Sequence, residues 1–526
     1  MKKTLLSVLF ALTFFLSNSQ QSNYDITGIK RINPRDLNAI IENNEVKGYY
    51  AFYFLDKANK KENLYNLAIL DNTLKQTYSV EIKKGKHLRL MESSYNGTNF
   101  CFSFADFSKK TIEYMVLDKT GKEVGSYIVK VSKKEMMYYV RMMQSDDDSY
   151  SGGLTGIKGK GFIRYGFDKD KGLRIEIEMI DNMGKKVWSA NSGTTAAKSY
   201  ESAAPFYADE NVLITGITMR EKALTTKGTK SSIVFFNTTT GAQLFQMPIT
   251  TDKYQLSALG ASFNADSKTY FIFGQFYDLT DNIMKDDSKG MYIQEVDQKG
   301  KVVRETYNAW AGEINNLLLK KVNKDKYANN MKVFIHKVVK TADGKIFAIA
   351  EQYRKAVSAS GVALKALALA SGSGGGASVM KIELYDMLVY EFDNAFKIKD
   401  VYVYEKQKAN IQLQSGLGTA DANLLGYMMK LYGWFDYAYT AVSADRKQFN
   451  TAYVNYDKSV KKSEGSKSVI GTISYTKDQK LVADRVIVKS NPTDFWVLQA
   501  KPGYVAIFEY FRKEKKATLR LEKLNL

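Results

Sequence analysis

One pattern recurs along the chain and limits its fold more than any other feature. It is an alternating apolar run, an Asp or Asn, a few turn residues rich in Gly and Lys, and a second alternating run. It reads YNLAILDNTLKQTYSVEI at 65–82, IEYMVLDKTGKEVGSYIV at 112–129, LRIEIEMIDNMGKKVWSA at 173–190, SSIVFFNTTTGAQLFQMPI at 231–249 and GMYIQEVDQKGKVVRETY at 290–307. A variant covers 382–404 and a weaker copy 468–488. Period-two alternation marks strands that bury one face. Asp118–Gly121, Asp181–Gly184 and Asp297–Gly300 share a D-x-x-G spacing. At such a turn Asp accepts backbone hydrogen bonds and Gly takes the positive φ that closes a short hairpin.

A further strand-like run precedes each hairpin, at 48–56, 98–107, 161–168, 211–220, 269–278, 345–354 and 449–457. An eighth, YVAIFEYFR at 504–512, precedes only the final run ATLRLEKL at 517–524. The turn residues at 71, 118, 181, 237, 297 and 393 are spaced mostly by the length of a four-stranded blade with generous loops. These hairpins also suit a pair of β-sandwiches, but their number and spacing predict an all-β chain: a single β-propeller of seven or eight four-stranded blades. The segment YDITGIKRI at 24–32 is expected to zip onto the short last blade and close the ring, because an open edge strand invites aggregation. An aromatic content of 13% with only five Pro agrees with a sheet protein.

The N-terminus reads as an address. Lys2 and Lys3 precede an apolar run from Leu5 to Leu16, and Ser17-Asn18-Ser19 then supplies small residues before Gln20. This is the three-part pattern of a secretory signal peptide over 1–19, with an apolar run short for a membrane span. The expected domains are that signal peptide and a propeller over 20–526, with no transmembrane helix in the mature chain. The sole cysteine, Cys101, excludes an internal disulfide and lies far from the cleavage site of a lipid-anchored leader.

Insertions are expected at about 144–160, 309–327, 356–380 and 409–440. Asp146, Asp147 and Asp148 offer carboxylates to a hard cation, but consecutive acids do not match a spaced calcium loop. Asp168 and Asp170 read as a hairpin turn. The 356–380 segment runs from Ala/Leu-rich to Ser/Gly-rich, a short helix followed by a connector. In 409–440, Asp421 is placed to cap a helix through Leu424, Leu425, Met428, Met429 and Tyr432. A similar helix is expected over 309–321. The candidate binding residues are Trp310, Tyr432, Trp434, Phe435, Tyr437 and Tyr439, whose aromatic density suits sugar stacking, a protein interface or the inner strand of a blade.

The catalytic repertoire is narrow. His87 and His336 are the only histidines, and neither sits near a G-x-S-x-G elbow. Phosphate-loop, dinucleotide and zinc-protease patterns are absent. No catalytic residue, metal ligand or cofactor is assigned, and the chain reads as a binding protein before an enzyme. The formal charge of +20 comes from 63 Lys and only 13 Arg, with Lys57, Lys60, Lys61, Lys83, Lys84, Lys86, Lys109 and Lys110 among the turn lysines. Phosphate and base recognition favour the Arg fork, so this charge points to solvated strand edges and not to nucleic acid.

The leader with Gln after its small-residue exit, the Lys/Asn/Tyr-rich composition and the D-x-x-G-K hairpins together resemble exported proteins of Bacteroidota bacteria, a group that includes uncharacterised propeller-like proteins. The resemblance implies a periplasmic or outer-membrane-associated location. The expected function is a non-catalytic propeller that binds an envelope protein or complex. The alternative is a glycan-binding or glycan-cleaving propeller, with glycan or an anionic envelope surface as partner.

Overall fold

The D-x-x-G turns form as their chemistry requires. Asp118 Oδ1 accepts the backbone N–H groups of Thr120 at 2.8 Å and Lys122 at 3.1 Å, and Gly121 closes the loop at φ 88°. Asp71, Asp181, Asp297 and Asp393 repeat the arrangement, accepting from the second and fourth residues after them. Where no Gly is available, Leu74 and Phe396 adopt the positive φ, at 67° and 62°. Each of these turns ends in a one-residue register shift, as between Val116 and Leu117, so the turn also sets the twist of its hairpin.

The structure is a computed structural model that describes residues 23–29, 32, 36–133, 135–136, 139, 153–167, 174–191, 200–220, 230–321, 331–363, 378–413, 417–457, 468–488 and 491–525. Its strands form eight antiparallel sheets, an eight-bladed β-propeller. Blades 1 to 7 follow chain order over 37–85, 88–130, 154–191, 200–248, 254–309, 332–404 and 437–487. Blade 8 combines Asp494–Leu498, Tyr504–Phe511 and Lys516–Lys523 with the N-terminal strand Asn23–Thr27. The closing strand pairs from Asn23 opposite Arg520 to Thr27 opposite Lys516. Asp25 fixes this register, accepting from Thr518 Oγ1 at 2.7 Å and pairing with Lys516 at 3.0 Å. Closure therefore uses the start of the expected 24–32 segment, on a strand that runs from Asn23 to Thr27.

An apolar cluster fills every gap between neighbouring blades. Phe52, Phe100, Phe102 and Phe104 join blades 1 and 2, and Tyr49, Ala51, Phe508 and Leu519 join blade 8 back to blade 1. Both faces of a blade therefore meet another blade, and middle strands such as Asn99–Asp106 and Gly290–Val296 are buried along their whole length.

The insertions differ from expectation in part. The helix over 309–321 is reduced to Asn315–Leu318, after an irregular turn in which Ala311 is extended and Gly312 takes φ 84°. Ile314 and Leu318 dock between blades 5 and 6, whereas Leu319 is exposed. Blade 6 gains a fifth strand, Ala409–Gln412, paired with Lys381–Leu384. The leader at 1–19, the Asp146–Asp148 cluster, Asp168, Asp170 and the 364–377 stretch lie outside the described residues.

Candidate functional site

Each blade begins with a strand that the hairpin pattern does not reveal. These inner strands are Leu37–Glu42, Leu88–Tyr95, Leu154–Ile157, Tyr200–Ala208, Tyr254–Asn264, Lys332–Lys340, Tyr437–Val442 and Asp494–Leu498. Several of them wall a cavity of about 1650 Å³ on the propeller axis. Its lining mixes Phe206, Trp496 and Tyr165 with Arg220, Ser257 and Lys430.

Irregularity in the inner strands shapes this wall. The register slips past Met91, Phe206, Leu259, His336 and Ala438, one residue in each of blades 2, 4, 5, 6 and 7. A bulge re-aims one side chain and breaks the two-residue period. The bulge residues of blades 4 to 7 all line the cavity, and His336 is the polar member of that set.

The helix Ala422–Tyr432 covers one side of the cavity. Leu425 and Met429 are buried against Phe334 and Tyr353 of blade 6. Gly426 allows the close approach, since a Cβ there would fall 2.3 Å from the Tyr353 hydroxyl. Asn423 donates to the carbonyls of Ile283 at 2.7 Å and Asp286 at 2.8 Å in blade 5, and Tyr427 shares a hydroxyl hydrogen bond with Ser257. Gly433, at φ 65°, ends the helix. The helix lies where expected, but the expected side-chain cap does not form: Asp421 supplies only its carbonyl, which accepts from Leu425 at 3.0 Å.

Beside the helix lies a buried charge cluster. Lys406 sits 3.2 Å from Glu351 and in a closer hydrogen bond with Asp436. Glu351 also accepts from the Tyr437 backbone N–H at 3.1 Å. Burial raises the Glu351 pKa and Lys406 opposes the rise. Burial likewise raises Asp436, with Lys406 opposing and Glu351 adding to it. The His336 imidazole stacks on Tyr437 at 4.1 Å and 4° and meets the edge of Phe435 at 4.8 Å. Its burial, helped by the nearby Lys430 cation, holds its pKa well below the usual histidine value, so the ring is neutral. Lys430 reaches into the cavity with its ammonium 5.0 Å from the Tyr437 ring centre. Surrounding protein and the Lys337 cation lower its pKa to about 8.

Of the six candidate residues, Phe435 and Tyr437 line this cavity. Tyr432 and Trp434 pack against one another at 5.1 Å at the helix end, outside the lining. Tyr439 lies on the inner strand of blade 7, beside the apolar cluster shared with blade 8. Trp310 is elsewhere, with its indole N–H on Ser288 Oγ at 2.9 Å in blade 5. Lys406, Glu351, Asp436 and Lys430 carried no motif that sequence reading could find. His336 was legible only as a rare residue type. One lysine departs from the solvated reading: Lys84 is buried, 2.7 Å from Glu113 and over the Phe104 ring, because strand alternation turns it inward. Among the described residues no cluster of His, Cys, Asp and Glu is arranged to hold a metal ion, and no helix is long and apolar enough to cross a membrane.

A family model described as "Family of unknown function (DUF6770)" matches residues 1–525. No curated protein matches the chain. Among solved structures, the chain is similar to one titled a eukaryotic initiation factor, at 12% identity and TM-score 0.30, over 90% of this chain and all of that one. It is similar to a post-proline cleaving enzyme from Rickettsia typhi at 9% identity and TM-score 0.36, spanning 90% of this chain and 57% of the enzyme. It is also similar to the β-propeller domain of the trilobed protease from Pyrococcus furiosus at 10% identity and TM-score 0.32, over 72% and 96%. Likenesses this distant carry no functional argument.

Proposed function

The chain belongs to the DUF6770 family, a family of unknown function, and from that premise we propose that it is an exported, non-catalytic propeller that binds a protein partner in the bacterial envelope. The observation that carries this reading is the axial cavity, large enough to receive a side chain cluster or a loop and walled by several blades at once. Its ionisable groups are arranged to hold, not to react. Beside the cavity, Glu351 and Asp436 share Lys406. Export rests on the leader pattern at 1–19, and an envelope location on the composition and hairpin style. The lysine-rich rim favours weak attraction to anionic envelope surfaces, which moderate salt weakens.

Trp496 and Tyr165 in the wall favour a glycan as second reading. Against it, one face of Tyr437 is covered by His336, which removes that ring as a sugar platform.

The test is affinity purification from the native envelope followed by mass spectrometry. Ser202→Trp and Ala204→Trp fill the cavity from exposed lining positions. Both are expected to lose the partner while folding normally. Unchanged co-purification with both variants would overturn the cavity as the binding site. For export, N-terminal sequencing of the native protein is expected to begin at Gln20. An uncleaved cytosolic chain refutes it.

A further inference from the structure

Among the described residues, only blade 6 has a fifth strand. Its two long strands, Ile346–Val357 and Met380–Phe392, run on after the inner strand has ended, since the last pair of that inner strand is Lys332 opposite Tyr353. The fifth strand, Ala409–Gln412, pairs with this extension at Lys381–Leu384. The result is a three-stranded platform that projects past the body of the blade. Strand alternation gives it two unlike faces. Ile382 and Leu384 are buried on one face, in the apolar cluster that holds Leu425 and Met429 of the helix Ala422–Tyr432.

The opposite face is polar and cationic. Arg354 stands opposite Glu383 on one strand pair, and Glu383 opposite Asn410 on the next. Arg354 Nε donates to Glu383 Oε2 at 2.7 Å, Lys408 Nζ donates to Oε1 at 2.9 Å, and Lys381 Nζ lies 2.8 Å from Oε1. The Tyr385 hydroxyl donates to Oε2 at 2.7 Å. Burial works against the Glu383 charge, but these hydrogen bonds hold its pKa well below the usual carboxylate range. Among the described residues no other carboxylate meets three cations. One negative charge does not neutralise them, so the face stays positive at neutral pH. Arg354 is also held in place. Its guanidinium lies 5.2 Å from the Tyr385 ring centre, while its terminal NH2 groups make no hydrogen bond with a described residue. A planar fork fixed in this way presents N–H groups to the oxygens of a phosphate.

The tip of the platform is apolar. Val357, at the end of its strand, is 64% exposed, more than any other large apolar side chain among the described residues, and Val362 follows at 47%. Val357 pairs with Met380, next to Lys381, so exposed apolar and cationic side chains stand within a few residues of each other. Cations at headgroup depth with apolar side chains just beyond them are the complement of an anionic lipid surface. A soluble phosphate compound would use the cations and leave the valines bare to water.

We propose that this platform docks the protein on an anionic phospholipid bilayer, with headgroup phosphate on Arg354 and Lys408 and with Val357 entering the interface. This deepens the envelope reading by naming the surface met there, and it rests on that reading only for where the bilayer is encountered.

The test is cosedimentation of the purified protein with vesicles of about three parts phosphatidylcholine to one of phosphatidylglycerol, at about 0.1 M salt. Anionic vesicles are expected to bind at least ~10-fold more tightly than vesicles of phosphatidylcholine alone. The double variant Arg354→Gln with Lys408→Gln keeps the Lys381–Glu383 pair and is expected to weaken binding at least ~10-fold. Lys299→Gln with Lys301→Gln removes equal charge from exposed positions in an Asp-led turn, at the other end of the middle strands. It is expected to cost less than ~3-fold. Val357→Asp is expected to weaken binding ~5-fold or more and, at an exposed position, to fold normally, so it decides should the double variant not fold. The proposal is overturned if neutral vesicles bind as tightly, if the control pair costs as much as Arg354 and Lys408, or if Val357→Asp binds as the native chain does. Inorganic phosphate bound through Arg354 and Lys408, with no vesicle binding, also overturns it and assigns a soluble phosphate instead. Failure on vesicles leaves co-purification of a protein partner untouched, whereas an uncleaved cytosolic chain refutes export and not the lipid contact.

Discussion

The gap between blades 1 and 2 and the gap between blades 6 and 7 are built from equivalent strands, yet they are filled differently. Between blades 1 and 2, Phe52 lies 4.7 Å from Phe102 and 5.2 Å from Tyr65, and Phe100, Phe104, Met115 and Leu117 complete an apolar wall. Between blades 6 and 7 an apolar cluster around Phe347, Phe449 and Tyr475 is present too, but Glu351, Lys406 and Asp436 are buried beside it and His336 stands unpartnered nearby. Aromatic packing would have served both gaps. A buried ion triad gains little over well-packed apolar residues, and buried pairs also stand at Lys84–Glu113, Arg164–Glu178 and Arg520–Glu509; what sets the triad apart is its place beside the cavity, which Asp436 lines. The inner strands of blades 4 to 7 carry bulges whose residues line the cavity, so irregularity there aims side chains into it.

Four substitutions sharpen the contrast, read by denaturant and thermal unfolding. The largest effect is expected from Phe102→Ala in the aromatic gap. It leaves a cavity among rings that cannot collapse and costs about 3–5 kcal/mol, independent of pH between 5 and 8. Lys406→Met in the charged gap is expected to cost about 3 kcal/mol at pH 8, with a strong pH dependence. Burial raises the pKa of both Glu351 and Asp436 above their unfolded values. The folded state therefore holds more protons than the unfolded state above about pH 4, and stability falls as pH rises through the folded pKa values. Removing the Lys406 cation raises both further, so the deficit of the variant narrows toward pH 5. A deficit that does not change with pH would show that Lys406 acts by packing alone. The smallest effect is expected from Asp118→Ala and Asp393→Ala, which remove the same turn acceptor from blades 2 and 6. Each costs about 1 kcal/mol, and the two should agree, because the rim turns do not share the asymmetry of the axis. A clearly larger loss in blade 6 would mean that its rim is coupled to the charge cluster.

The parts of the molecule that could be read from sequence are those governed by local rules. The Asp-led turns, the alternating middle strands and the missing fourth strand of blade 8 follow from hydrogen bonding and periodicity within some twenty residues. The helix Ala422–Tyr432 followed from its apolar spacing. The inner strands escaped because they face the axis on one side, carry Ser, Thr, Lys and Glu among their apolar residues, and lose their period at a bulge. Lys84 escaped for a related reason: a lysine in a turn-rich stretch looks solvated until the pairing partner of its strand is known. Trp310 and Tyr437 looked alike as aromatic binding candidates, and only Tyr437 reaches the cavity.

By itself, the sequence determined a ring of hairpins closed by the N-terminal strand. Only the tertiary structure decided the number of blades, placed Lys430 and His336 on one cavity wall, and brought Glu351, Lys406 and Asp436 together from three separate stretches. The physical reason is range. Turn chemistry and strand alternation act between neighbours in the chain and leave a mark in the order of residues, whereas a cavity is made by side chains from several blades that meet only when the ring closes.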